Sequence, residues 1–202
     1  MAGKEDKREA ILRAAAGLFA HRGFSGTVMA DIAVAAGVGK GTVYQYFANK
    51  EDLFFEVFRW VVLHSGTAVM TRLAQLGGGA AERLVTIGDT LVETWVEMME
   101  WFSLMMEFWA ASSTSLLRGR FKEAFRNEYD RFRCVVAGLV EEGMRSGEFR
   151  QSLDAHAIAS GLIGSWDAIL LQAWFDKTFD PVSVSGSYTR VVVKGMVAKG
   201  HQ

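Results

Sequence analysis

Residues 27–47 read TVMADIAVAAGVGKGTVYQYF, and this stretch decides the fold. It contains two short apolar-periodic segments, Thr27–Ala36 and Lys40–Phe47, joined by Gly37-Val38-Gly39. Thr27 is an N-cap residue type, and Gly37 supplies a helix stop. Ala33 and Ala36 are small enough for close helix approach, while Ile32, Val38, Val43 and Phe47 are spaced to face inward. That leaves Lys40, Thr42, Tyr44 and Tyr46 on the outer side of the second helix. One cation, one hydroxyl and two phenols are poor core material but suit phosphate and base-edge contacts. The arrangement is that of a helix-turn-helix, with its second helix presented to a major groove. Two look-alike motifs fail. Gly41 interrupts the Gly-Lys-Ser/Thr of a P-loop and Val34 stands at its upstream glycine, while the glycines around Lys40 lack the dinucleotide-binding spacing and follow a helix.

Working outward, Lys7–His21 carries Ile11, Ala15, Leu18 and Phe19 on one face, and Gly23 closes this first helix. Asn49 caps a long helix, Lys50–Leu76, with Asp52 at the capping-box position. Lys50 opposes the dipole of that helix, and a phosphate arriving there would reconcile the two. Gly77-Gly78-Gly79 breaks the chain. Further helices are expected at Ala81–Glu100, Phe102–Ser112, Leu116–Arg145, Leu153–Asp176 and Ser185–Lys199, the last in spite of Val191-Val192-Val193. The expectation is all-α, with about nine helices.

The chain has 202 residues, half of them hydrophobic, with one proline and a net charge of −1. This excludes a disordered tail, a disulfide scaffold and a polycation that coats nucleic acid. The charge is uneven: residues 1–50 hold seven Lys/Arg against four Asp/Glu, and residues 51–202 hold fifteen against nineteen. A basic head on an acidic body directs an anionic partner to the N-terminal end. The lone Cys134 fits a reducing cytoplasm and is expected as an inert core thiol. The intervals free of charge are too short for a membrane span, and the charged N-terminus does not read as a signal peptide.

Residues 8–58 resemble the DNA-binding domain of the TetR family of bacterial transcriptional regulators. The likeness is carried by Gly23 and Phe24, Thr27, Ile32-Ala33, Ala36-Gly37-Val38, Gly41-Thr42-Val43-Tyr44, Tyr46-Phe47 and Lys50-Glu51-Asp52-Leu53. Gly39 departs from a frequent serine cap, and Tyr46 from a frequent histidine. The resemblance implies a three-helix DNA-binding domain over residues 1–50, a bridging helix over 50–76, and a helical ligand-binding and dimerisation domain over 51–202. It implies DNA contacts from Thr27, Lys40, Gly41, Thr42, Tyr44, Tyr46 and Lys50, a pseudopalindromic operator, a homodimer, and a repressor released by a small apolar effector. No cofactor is implied. An activator or a ligand-independent DNA-binding protein is the alternative, and a helical enzyme a distant one.

The body supplies candidate parts. Trp95, Met99, Phe102, Met106 and Trp109 recur as one stripe if their helices are continuous, and Phe125, Tyr129, Trp166 and Trp174 are expected opposite. Large adaptable side chains of this kind line apolar cavities. Residues 128–150 loosely resemble family members that sense fatty acyl or other apolar compounds. Gly161, Gly164, Ala168 and Leu171, with Val191, Gly195 and Ala198 on the last helix, are expected at a two-fold dimer interface. Chemistry is not indicated. The four histidines are scattered without metal-ligand spacing, no catalytic constellation is visible, and Glu141-Glu142 reads as a solvated face.

Overall fold

The computed structural model describes residues 4–75, 77–114 and 116–198. Among them are nine α-helices: α1 (Lys4–Gly26), α2 (Met29–Ala35), α3 (Lys40–Tyr46), α4 (Lys50–Gln75), α5 (Ala80–Glu97), α6 (Phe102–Thr114), α7 (Arg118–Ser146), α8 (Ala155–Phe175) and α9 (Pro181–Met196). A single 3-10 turn, Met99–Trp101, lies between α5 and α6. The chain divides into two compact units, Met1–His64 with Glu100–Ala124, and Ser65–Met99 with Phe125–Gln202. In this division α6 and the first turns of α7 join the head helices.

In the first unit, α1 buries Ile11, Leu12, Ala15, Ala16 and Phe19. The predicted end of this helix at Gly23 is a real break, with φ 72° and ψ 167°, after which one more turn runs to Gly26. The core is aromatic. Phe54 lies 5.1 Å from Phe19, 4.8 Å from Phe24 and 4.8 Å from Phe108, ring centroid to centroid, and Phe121 closes the cluster at 5.4 Å from Phe58. Asn49 caps α4 as expected, its Oδ1 accepting from the Asp52 amide at 2.7 Å. The Asp52 carboxylate is turned elsewhere, to Arg120 at 2.7 Å.

In the second unit α5 packs on α9 and α8. Trp166 of α8 is fully buried, and its Nε1 donates to Thr189 Oγ1 of α9 at 3.0 Å. Gly88 of α5 makes the room: a Cβ there would lie 2.7 Å from the indole. Glu148 caps α5, accepting from the amides of Ala80 at 2.7 Å and Ala81 at 3.1 Å. The last helix begins earlier than the expected Ser185, with Asp180 as its N-cap and Pro181 as its first residue. Asp180 Oδ1 accepts from the amides of Val182 and Ser183, and proline at the first helical position forfeits no hydrogen bond. The valine run Val191–Val193 is helical.

Three expectations change. Cys134 is exposed on α7, not buried. Glu142 is not merely solvated, since both its oxygens accept from Arg83, at 2.7 and 2.9 Å. Finally, α4 and α8 are long and apolar enough, by length and composition, to cross a membrane. The charge-gap criterion missed them because their apolar residues are interrupted by isolated charges. Asp167 is such a charge in α8, which nonetheless buries a stripe that includes Leu162, Trp166, Ile169 and Ala173.

Candidate nucleic-acid interface

The two short helices are held by their turn and by few buried groups. The C-terminus of α2 closes through Ala36, with Gly37 at φ 65°. The Val38 amide donates to Ala33 O at 3.0 Å and the Gly37 amide to Val34 O at 3.1 Å, the paired bonds of a Schellman motif. Only glycine adopts that φ without strain. Gly39 caps α3 with backbone alone, and no side chain bonds the first turn. Ile32, Ala33, Val43 and Phe47 are buried, as their spacing predicts, and Val38 is half-buried.

The outer face of α3 follows. Lys40, Gly41 and Tyr44 are exposed, Tyr44 at 47%, while Thr42 and Tyr46 are half-buried. Gly41 has open space where a Cβ would stand, which leaves the backbone bare to an approaching partner. Lys40 Nζ sits 6.0 Å from the Tyr44 ring centroid and has no ion pair among the described residues. The three head arginines are engaged: Arg8 with Glu56 at 2.6 Å, Arg13 with Glu9 at 2.9 Å and Arg22 with Asp31 at 2.9 Å. Gln45, which the sequence reading passed over, is exposed beside Tyr44. It was missed because the residue looks like ordinary helix filler. The signal for it was its place four residues after Gly41, on the same face of α3.

Two of the expected contact residues are bonded within the protein. Thr27 does not cap α2; the N-cap position is Val28, without a side-chain bond. The Thr27 side chain is 0% exposed, and its hydroxyl donates back into α1, to Gly23 O at 2.9 Å and Leu18 O at 3.3 Å. It has no surface to offer DNA. The Lys50 ammonium is also spent largely inside the protein, donating to Phe24 O at 2.7 Å and Thr27 O at 2.9 Å. Of its three N–H donors, one is left over.

The stripe of apolar residues in the body is not continuous. Helix α5 ends at Glu97, and the 3-10 turn intervenes before α6. Trp95, Met99, Phe125, Tyr129, Trp166 and Trp174 belong to the second unit; Phe102, Met106 and Trp109 belong to the first. Phe102 and Trp166 are buried and the other seven half-buried. Trp166 is committed to the α5–α8–α9 packing, which is core work. The chemistry of the second unit centres on Tyr129 of α7, whose hydroxyl donates to Asp167 Oδ2 of α8 at 2.6 Å. Burial pushes the Asp167 carboxyl above the usual range, opposed by the bond from Tyr129. The Tyr129 phenol is pushed above its own range by burial and by the neighbouring carboxylate.

On α8, Gly161, Gly164 and Ala168 are exposed and Leu171 half-buried; on α9, Val191 is 71% exposed, Gly195 exposed and, just beyond the helix, Ala198 half-buried. Gly161, Gly164 and Gly195 have open space where a Cβ would stand. Phe175, Val184 and Tyr188 add exposed apolar surface to the same two helices. No group of three or more His, Cys, Asp or Glu that could hold a metal occurs among the described residues.

A buttressed turn, a short helix with polar groups turned outward and a separate helical unit define a helix-turn-helix DNA-binding regulator. Comparison with known proteins agrees. Residues 11–57 match the model for bacterial regulatory proteins of the tetR family, and residues 80–185 match the model for the C-terminal domain of BetI-type transcriptional repressors. The chain belongs to the TetR family of transcriptional regulators, with a C-terminal domain of the BetI type, and it is not an enzyme. Its relatives include the fatty acid metabolism regulator protein of Bacillus subtilis, 24% identical over 97% of this chain and 98% of that one. Another is the transcriptional repressor KstR2 of Rhodococcus jostii, 27% identical over 75% of this chain and 72% of that one. A Pseudomonas aeruginosa regulator superposes with a TM-score of 0.84 at 19% identity, covering 99% of this chain and 94% of that one. A Saccharomonospora viridis regulator solved in complex with choline superposes at 0.81 and 23% identity, covering 96% of this chain and all of the other.

Proposed function

We propose that this regulator is a homodimeric repressor that holds a pseudopalindromic operator and leaves it when a small, predominantly apolar effector binds. The observation that carries the reading is the outer face of α3. Lys40, Tyr44 and Gln45 are exposed there, on a helix fixed by a Schellman turn. Lys40 supplies a phosphate contact, and Tyr44 with Gln45 supplies hydrogen bonds to base edges. The strip of small and apolar residues on α8 and α9 supports dimerisation, because Gly161, Gly164, Ala168 and Val191 leave a surface that two helices of a second copy could approach closely. Working on an operator, the protein acts in the cytoplasm.

Release follows from population shift: the effector must bind more tightly to the state whose two heads no longer match successive major grooves. Within the second unit, Asp167 favours an apolar effector that carries a cationic end. Its carboxylate is desolvated, bonded only to a phenol, and has no ion pair among the described residues. The choline in the Saccharomonospora viridis structure carries a cationic end of that kind. The test titrates the operator complex with a quaternary ammonium compound and, separately, with a long-chain acyl compound. One of the two is expected to weaken operator binding at least about tenfold, and Asp167→Asn to remove the response to the cation alone. No response to either would leave a ligand-independent DNA-binding protein.

A further inference from the structure

Phe24, at the corner between α1 and α2, has both ends of its peptide held by ionised side chains from other helices. Its N–H donates to Glu107 Oε2 of α6 at 2.7 Å, and its carbonyl accepts from Lys50 Nζ of α4 at 2.7 Å. The same ammonium lies 4.3 Å from the Phe24 ring centroid and reaches the carbonyl of Thr27 at 2.9 Å. Charge-assisted bonds of this kind are roughly twice as strong as neutral ones. Gly23 admits the carboxylate. A Cβ there would lie 2.7 Å from Glu107 Oε1, and the φ of 72° already favours glycine. One turn before Glu107, Ser103 Oγ donates to Ala20 O at 3.0 Å, so α6 takes hold of the end of α1 at two successive levels. The corner is the only covalent route from α1 to α2, and the direction in which it leaves α1 sets the pose of α2 and α3.

We infer that Glu107 is a positioning residue for DNA binding: from α6, and opposed by Lys50 of α4, it fixes the α1–α2 corner and through it the presentation of α3. The inference rests on the reading of α3 as the DNA-reading helix. Glu107 acts through Phe24 and touches no DNA itself.

Two variants separate reach from charge. Glu107→Gln keeps an acceptor oxygen at the same reach and loses the charge. Glu107→Asp keeps the charge and, one methylene shorter, loses the reach. Each is measured in the full chain, against the duplex that the wild-type protein selects from a random pool. Glu107→Asp is expected to bind about tenfold more weakly, with an unchanged salt slope. Amide exchange should accelerate in the peptide covering residues 22–28 and not in those covering α8 and α9. Glu107→Gln is expected to stay within about threefold of wild type. The inference is overturned if Glu107→Asp binds like wild type, or if both variants weaken binding equally with exchange at the corner unchanged. Lys40→Ala, run alongside, tells the two readings apart. If it binds normally while Glu107→Asp loosens the corner, the α3 reading fails and the corner geometry stands. If it weakens binding while Glu107→Asp does not, the corner inference fails alone.

Discussion

Lys40 and Lys50 flank the same short helix, carry the same charge and do different work. Lys40 is exposed and without an ion pair among the described residues, whereas Lys50 holds two carbonyls of the α1–α2 corner. Lys40→Ala should therefore weaken binding about equally on all sequences and reduce the salt slope by ~1, read by fluorescence anisotropy across a salt series. Lys50→Ala should weaken binding and lower the melting temperature while leaving that slope unchanged. Gln45→Ala should act on base choice instead, flattening discrimination at one operator position by about 1–3 kcal/mol in competition binding. Asp167 gives a prediction in pH. Burial raises its pKa in the folded protein, so the folded state binds the proton more tightly than the unfolded chain does. Stability is therefore lost as pH rises from the ordinary carboxylate range through the raised value. Asp167→Asn can still accept from Tyr129 and cannot ionise, so it should melt above wild type at neutral pH, with the gain vanishing in acid. The anomaly at Lys50 was legible in the sequence, as a cation at a helix N-terminus. Its answer was not, because the partners Phe24 and Thr27 lie more than twenty residues earlier and only folding brings their carbonyls to it.

Among the elements, the helix-turn-helix was the most legible, since each of its parts is a local signal: glycine in the turn, small residues at the crossing, apolar residues at helical spacing. Gly37 tests it. At φ 65° a Cβ is strained, so Gly37→Ala should cost about 1–2 kcal/mol in denaturant unfolding, although it meets no neighbour. The seam between α5, α8 and α9 was less legible. Trp166 reads from its spacing as a cavity-lining residue as readily as a core one. What decides is Gly88, seventy-eight residues earlier, whose missing side chain makes the slot, and Thr189, which satisfies the indole N–H. A rigid buried ring cannot step aside, so Gly88→Ala should destabilise by about 1–3 kcal/mol in the same experiment. The break at Met99–Trp101 falls where two helices were expected to part, between Glu100 and Phe102, but its start three residues earlier, at the end of α5, was not legible. The residues from Trp95 to Trp109 keep helical spacing across it, and no glycine or proline marks the interruption.

At the scale of the molecule, the account requires two copies. The glycines and alanines exposed on α8 are too small to shield one another and leave no side chain in the way of a second helix. Gly164→Arg should place a long charged side chain in that approach, leaving the head folded and the chain monomeric at its 22.3 kDa in sedimentation, where wild type should sediment at twice that mass. A two-fold dimer reads two half-sites, related by inversion and separated by one or more helical turns of ~34–36 Å. This arrangement is proposed from family resemblance, because spacing alone cannot tell a strip that meets a partner from one that meets its own chain. The most direct test of the central claim is selection of duplexes from a random pool by the purified full-length protein, with the Lys40→Ala and Gln45→Ala variants carried through the same rounds. The account predicts enrichment of one inverted repeat by wild type, lower yield of the same repeat with Lys40→Ala, and loss of preference at one base pair in each half-site with Gln45→Ala. Enrichment of no common sequence, or of the same repeat with undiminished yield and unchanged preference in both variants, would contradict it.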